Sequence, residues 1–289
     1  MIYLSSDFST TLFADDTYLS LSNSNLKTLE RNTNIELTKI DKWFCENKLS
    51  INYNKTFFLL FNKQIQKPLS ENFHLVHDQT SLQRHQAVKY LGIIIDDKLN
   101  WHCQVKNLSL QLARYSGVFY RLSNLVPIHI LKLLYHSLIS SKLQYGILSW
   151  GTAKNKYLQE IKVRQNNIIR SIIRSSKCSP VTKLYKDLNF LKLEDIYKLE
   201  LAKVMHKVHN NRIPKLISSS FTPLTVVHEH NTHQKLCDRF FLDRVHKEIG
   251  KNQLRYRGYQ AWKTIPVKLK DLNENRFKKQ LKIELIRCY

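Results

Sequence analysis

Apolar and polar positions alternate at the start of the chain and then change period. Thr10–Phe13 and Thr17–Leu21 read as two short strands on either side of Ala14-Asp15-Asp16, the pattern of a β-hairpin. Leu26, Leu29, Thr33, Leu37, Ile40 and Phe44 then recur at steps of three and four, which predicts a helix with Ser24 or Asn25 as its N-cap. After Asn47 alternation returns at Leu49, Ile51 and Tyr53. An apolar strand is expected at Phe57–Phe61, and two more at Phe73–Val76 and Val88–Ile95.

From Asn100 the spacing is helical nearly to Asn210. Pro127 sits where a helix start tolerates proline, because the first N–H groups have no intrahelical partner. Leu131, Leu134, Tyr135 and Leu138 line one face after it. A later helix carries Leu158, Ile161, Ile168, Ile169 and Ile172, and another is expected over about Leu193–Asn210. Beyond Pro214 the periodicity weakens, and a last helix is expected around Arg276–Arg287. Only six glycines and six prolines punctuate the chain, which suits a mainly helical protein. The expected class is α+β, with an α+β unit over residues 1–97, a basic helical unit over 98–212 and a small C-terminal segment over 213–289.

Charge changes this picture. The chain has 46 Lys and Arg against 23 Asp and Glu, a formal net charge of +23. Self-repulsion of that size points to a polyanionic partner, nucleic acid or acidic membrane. Apolar residues make up 43%, which argues against disorder. From Lys98 to Lys186 fifteen Lys and Arg face a single acid, Glu160. A solvated helical surface normally mixes signs, so Lys162, Arg164, Arg170 and Arg174 within this stretch are candidates for contacts to a phosphate backbone.

Other classes recede. The five cysteines are odd in number and widely spaced, with no Cys-x-x-Cys, so neither a disulfide framework nor a zinc ribbon is indicated. His228, His230, His233 and Cys237 lie close in sequence, but their spacing matches no zinc pattern and a loop rich in neutral histidine is the preferred reading. The start shows no basic region followed by an apolar one, and the apolar stretch Leu133–Trp150 is broken by His136 and Lys142, so neither a signal peptide nor a membrane span is expected. An intracellular setting follows. Trp43, Trp101, Trp150 and Trp262 each stand among apolar residues, and core packing is preferred to base stacking for them.

Chemistry concentrates at Phe13-Ala14-Asp15-Asp16. Adjacent carboxylates on a tight turn cannot both enter a core, because burying an unpaired charge is prohibitive. Leu12, Phe13, Leu19 and Leu21 are expected to hold the turn rigidly. Exposed paired carboxylates suit a hard divalent cation such as magnesium, and two such ions can activate an attacking hydroxyl and stabilise leaving pyrophosphate. Asp is common in turns, so the dipeptide alone is weak. Asp96-Asp97 is a second acidic pair. There a helix N-terminal charge effect explains the residues better than metal.

The order of segments resembles the palm and thumb of non-LTR (LINE-type) retrotransposon reverse transcriptases, the jockey-like group in particular. Leu12-Phe13-Ala14-Asp15-Asp16-Thr17 is similar to that family's active-site hairpin. Trp43, Asn47-Lys48-Leu49-Ser50-Ile51-Asn52 and Asn54-Lys55-Thr56 resemble the segment after it. Lys89-Tyr90-Leu91-Gly92, Ile95-Asp96 and Leu99-Asn100-Trp101 resemble the primer-gripping hairpin and its lead into the thumb. Leu134-Tyr135, Tyr145-Gly146, Trp150-Gly151 and Gln165 are similar to thumb residues, and Tyr256-Arg257-Gly258, Trp262, Ile265-Pro266 and Phe277 to the C-terminal segment.

The resemblance implies a truncated palm over 1–97, a helical thumb over 98–212 and a C-terminal segment. It implies that Asp15 and Asp16 are catalytic ligands of magnesium and that Phe13 lies under the primer terminus. Lys55 would stand near the triphosphate, with an ordinary surface lysine the competing reading. Lys89, Tyr90, Leu91 and Gly92 would hold the primer, although for most of Leu91 and Ile93–Ile95 a buried strand is the preferred reading. The implied partners are an RNA template and DNA primer, with deoxynucleotides in a completed enzyme, in the nucleus and cytoplasm. A further palm carboxylate, the nucleotide pocket and the fingers are expected upstream of these residues, so independent polymerisation is not expected. A nucleic-acid-binding module without chemistry and a functionless relic of a truncated element are the alternatives.

Overall fold

A computed structural model of the chain describes residues 8–14, 16–61, 73–77, 80–176, 178–221 and 244–289. They fall into two compact units, Met1–Asn100 and Trp101–Tyr289.

In the first unit, β1 (Ser9–Phe13) pairs antiparallel with β2 (Asp16–Ser20) in a register that sets Phe13 opposite Asp16. Asp16 therefore opens β2 rather than belonging to the turn. Helix α1 (Leu26–Glu46) starts at Asn25, whose side chain accepts from the backbone N–H of Lys27 and Thr28. This cap satisfies donors that have no intrahelical partner. Leu37 and Ile40 are buried on α1. Leu37 joins Leu60, Phe73, Leu75 and Leu82 in a small cluster. The helix also offers side chains to a neighbouring backbone. Glu30 accepts from the His74 N–H at 2.9 Å, and Asn34 accepts from Val76 N–H at 2.9 Å while donating to the His74 carbonyl at 3.2 Å.

The expected strands are shorter than the pattern suggested. The run at Phe57–Phe61 supplies only β3 (Phe57–Phe58), and that at Phe73–Val76 only β4 (Val76–His77). The strand β4 pairs with β5 (Thr80–Ser81), and β3 pairs in parallel with β6 (Gln83–Arg84). Val88–Ile95 is not one strand but a hairpin, β7 (Ala87–Tyr90) and β8 (Ile93–Asp96). Leu91 and Gly92 form its turn with φ of 43° and 82°. Two positive φ values define the two-residue turn that matches strand twist, and glycine takes one of them without strain. Asp96 does not begin a helix. It is buried, and its Oδ1 accepts from the backbone N–H of Lys98 and Asn100, a local turn that reverses the chain after β8.

The second unit is helical. Its elements are α2 (His102–Leu122), α3 (Ile128–Leu134), α4 (Ser141–Gln144), α5 (Ile147–Trp150), α6 (Asn155–Ile173), α7 (Val181–Leu188), α8 (Leu193–His209) and α9 (Lys215–Ser218). They are followed by α10 (Glu248–Lys251), α11 (Leu254–Lys263), α12 (Val267–Lys270) and α13 (Glu274–Arg287). A π-helical turn, Tyr135–Ser140, joins α3 to α4. The apolar faces read from the sequence are the buried ones. Leu158, Ile161, Ile168, Ile169 and Ile172 of α6 pack with α2, and α8 runs through the middle of the unit. Trp262, Phe277 and Leu281 share one core with α2, α6 and α8, so residues 254–289 are packed as part of the second unit.

Trp150, Trp262 and Phe277 are buried in this core. The Trp150 indole N–H donates to the Tyr145 carbonyl at 2.9 Å. A Cβ at Gly151 would lie 2.4 Å from the Ile147 carbonyl oxygen, and one at Gly258 would lie 2.6 Å from Met205 Sδ. The His206 ring stacks on Phe277 at 4.4 Å, and its Nε2 lies 2.8 Å from the Leu272 carbonyl oxygen. Trp43 is half-buried against Phe44, and Trp101 is half-buried at the head of α2. Among the described residues no helix is long and apolar enough to cross a membrane.

Candidate active site

The first hairpin is exposed. Of the apolar flanks expected to brace the turn, Phe13 (61% accessible) and Leu12 (46%) face outward, whereas Leu19 is half-buried and packs against the small cluster of the first unit. Ala14 holds φ at 51°, a conformation that costs an L-residue about 1–2 kcal/mol. Asp16 stands exposed at the start of β2, and Asp15 lies outside the described residues.

An aromatic contact adds a second brace to the hairpin. The Tyr18 ring of β2 lies 5.4 Å from the Tyr90 ring of β7, tilted at 38°. The candidate catalytic hairpin and the Lys89-Tyr90-Leu91-Gly92 hairpin are thereby brought side by side. Tyr18 was not singled out from the sequence, although its place two residues after Asp16 puts it on the same side of the strand. Lys89 is exposed, Tyr90 and Leu91 are half-buried, and Gly92 is exposed in the turn. The half-burial of Ile93–Ile95 departs from the buried strand considered for them. Lys55 ends a short 3₁₀ turn (Tyr53–Lys55) with its side chain exposed.

The four bases singled out on α6 divide. Lys162 pairs with Glu194 of α8 at 2.5 Å. Burial raises the Glu194 carboxyl, but the Lys162 hydrogen bond and charge outweigh it and hold the group below the usual carboxylate range. Arg170 donates through Nε and Nη2 to the Ser179 carbonyl, both at 3.3 Å. Arg174, in left-handed conformation at the end of α6, donates to the Ser123 carbonyl at 2.7 Å. Arg164 is exposed, with its guanidinium in no ion pair among the described residues. A count of charges along the chain could not separate these cases, since three depend on acceptors distant in sequence.

No group of three or more His, Cys, Asp and Glu placed to hold a metal occurs among the described residues. The cluster at His228, His230, His233 and Cys237 lies outside them.

Sequence comparison finds relatives among the polymerases of mobile elements. The chain is 27% identical over 150 residues to the RNA-directed DNA polymerase from the mobile element jockey of Drosophila melanogaster, covering 48% of this chain and 16% of the relative. It is 25% identical over 194 residues to the probable RNA-directed DNA polymerase from transposon BS of the same fly, covering 63% and 20%. A third similarity, 22% over 151 residues, is to the probable RNA-directed DNA polymerase from its transposon X-element, covering 50% and 17%. These similarities support the chain as a fragment of a non-LTR retrotransposon reverse transcriptase. The chain spans no more than 20% of the length of these relatives. No protein-family model and no solved structure matches it.

Proposed function

We propose that the chain is the end of the palm, with the thumb, of an RNA-directed DNA polymerase, and that it holds the primer terminus against an RNA template. The observation that carries this reading is the Tyr18–Tyr90 contact, which sets the acidic hairpin beside the hairpin matched to the primer grip. Lys89 is free in that arrangement to meet a phosphate, Gly92 lets a strand approach the backbone closely, and Phe13 offers an exposed ring near Asp16.

Asp15 and Asp16 are hard oxygen donors of the kind that suits magnesium, which keeps coordination places for water and substrate phosphate. Held there, the metal would make the primer hydroxyl more acidic and offset charge on the leaving pyrophosphate. Two carboxylates leave a two-metal site short of ligands, so the remaining donors are assigned to the polymerase segments that the matched part of the relatives does not cover. Lys55 is placed near the triphosphate, where a cation assists the leaving group. Arg164 contributes to grip on the template–primer hybrid.

The test is binding and extension of a DNA primer annealed to RNA. The chain alone should bind the hybrid with an affinity that falls as salt rises, and should not extend it. Supplied with the polymerase segments of a relative that lie outside the matched part, it should extend in magnesium, and Asp16→Asn should abolish extension but not binding. A folded chain that ignores the hybrid would remove the reading. Extension by the isolated chain would show that no donors beyond those of this chain are needed. The excess of bases over acids favours, as a second reading, a module that binds nucleic acid without chemistry.

A further inference from the structure

Away from both hairpins, the second unit contains a pocket of about 190 Å³ between the turn joining α3 to α4 and the C-terminal helix α13. Its floor is apolar: Tyr135 and Phe190 stack with ring centroids 4.0 Å apart and planes at 12°. His136 stands edge-on to Phe190 at 5.0 Å. The rest of the rim is Ser140 and Gln144 on one side, and Lys278 and Lys282, one helical turn apart, on the other.

No carboxylate lines this pocket, and neither Lys278 nor Lys282 makes an ion pair among the described residues. The Glu274 carboxylate at the start of α13 is engaged instead by Lys207 at 3.3 Å. Two lysines at this helical spacing repel each other, and the arrangement weakens a helix unless an anion stands between them. Burial and neighbouring cations both disfavour the charged forms of two of these groups. Burial, and then Lys278, push the Lys282 ammonium below the usual lysine range. Burial, and then Lys282 and Lys132, push the His136 imidazole below the usual histidine range. The side chains at the mouth can all donate hydrogen bonds: two ammonium groups, an imidazole, a hydroxyl and a carboxamide.

Clustered donors without an acid, over a closed apolar floor, select a compact oxyanion. We propose that this pocket is a phosphate-binding site, filled by a phosphate group of a nucleic-acid strand or by free phosphate. It rests on the polymerase reading only for the source of the phosphate. A strand phosphate bound here would give the second unit an anchor point independent of the α6 bases.

The test uses the full chain without magnesium. Two probes, inorganic phosphate and a labelled single-stranded oligonucleotide, are titrated against the parent, the double variant Lys278→Gln/Lys282→Gln and a control of equal charge loss, Lys263→Gln/Lys268→Gln. Phosphate should raise the His136 titration midpoint, followed by NMR, in the parent and control but not in the pocket variant. Oligonucleotide affinity should fall about tenfold further in the pocket variant than in the control. The slope of log affinity against log salt should shrink by about 0.7 for each strand phosphate no longer neutralised. The pocket variant should melt no lower than the parent, since it loses a repulsion, which separates binding loss from misfolding. An unmoved His136 together with equal losses in both variants would overturn the proposal. A His136 response to phosphate with equal oligonucleotide losses would keep the site and assign it to free phosphate. Loss of oligonucleotide binding confined to the pocket variant, with His136 unmoved by phosphate, would assign it to the strand. Absence of all nucleic-acid binding beside a clear phosphate response would count against the polymerase reading and leave the pocket standing.

Discussion

The side-chain amide of Gln165 donates to the Tyr135 hydroxyl and to the Leu191 carbonyl, each at 2.9 Å, inside the core of the second unit. One polar residue on α6 thus ties together the turn after α3 and the segment that leads into α8. Gln165→Leu should leave both partners without their bond and destabilise the unit by about 2–4 kcal/mol, since a buried unsatisfied group costs about 1–3. Urea unfolding measures it. A loss below about 0.5 kcal/mol would mean that water or a rearranged partner replaces the amide.

Alkali should destabilise the second unit. Burial raises the Tyr135 and Tyr185 hydroxyls, and burial together with the hydrogen bond to Asp195 raises that of Tyr289, all above the ordinary value of 10.0. A group with a raised folded value stabilises the fold in full below its unfolded value, and that contribution is lost as pH rises past it. Stability followed by circular dichroism should therefore decline above about pH 10. Tyr289→Phe, which cannot ionise, should lessen the decline while losing the bonds to Asp195 and to the Lys192 N–H.

Arg164 and Arg174 should respond oppositely to charge removal. Arg164→Gln is expected to weaken hybrid binding and reduce its salt slope by about 1, with stability within about 0.5 kcal/mol. Arg174→Gln should instead cost about 1–3 kcal/mol, because the Ser123 carbonyl loses a charged donor. Equal binding losses with unchanged stability would place both on the nucleic-acid surface.

The two hairpins should prove coupled. Tyr18→Ala and Tyr90→Ala, singly and together, should show an interaction of about 0.5–1.5 kcal/mol in binding of the primer terminus, the range for a tilted aromatic pair. Additive losses would mean that the ring contact does not join the hairpins in function.

Much of the helical unit could be read in the sequence because its information is periodic. The stripe on α6 and the bounds of α8 follow from residues three and four apart, and the Asn25 cap from a side chain that competes for backbone N–H groups. The first unit was harder. The apolar run Val88–Ile95 hides a turn, since Leu91 takes a positive φ that leucine seldom adopts. The acidic hairpin was legible as a motif, but its brace at Tyr18 was not, because that contact spans distant strands. The same holds for Arg174, whose acceptor lies 51 residues away, and for the pocket built from His136 and Lys282. Charge along a chain does not reveal which cations the fold itself consumes.

A paired hairpin alone is marginal in water, and here the candidate site is made of two of them leaning together, whereas α2, α6 and α8 share a continuous core. Amide exchange should accordingly run on two clocks, fast in Ser9–Ser20 and slow along α6. Part of the order at the reacting end is then left for its occupant to complete. If a primer binds there as proposed, it would spend some of its contact energy on settling the protein, and measured affinity would understate the grip once closed.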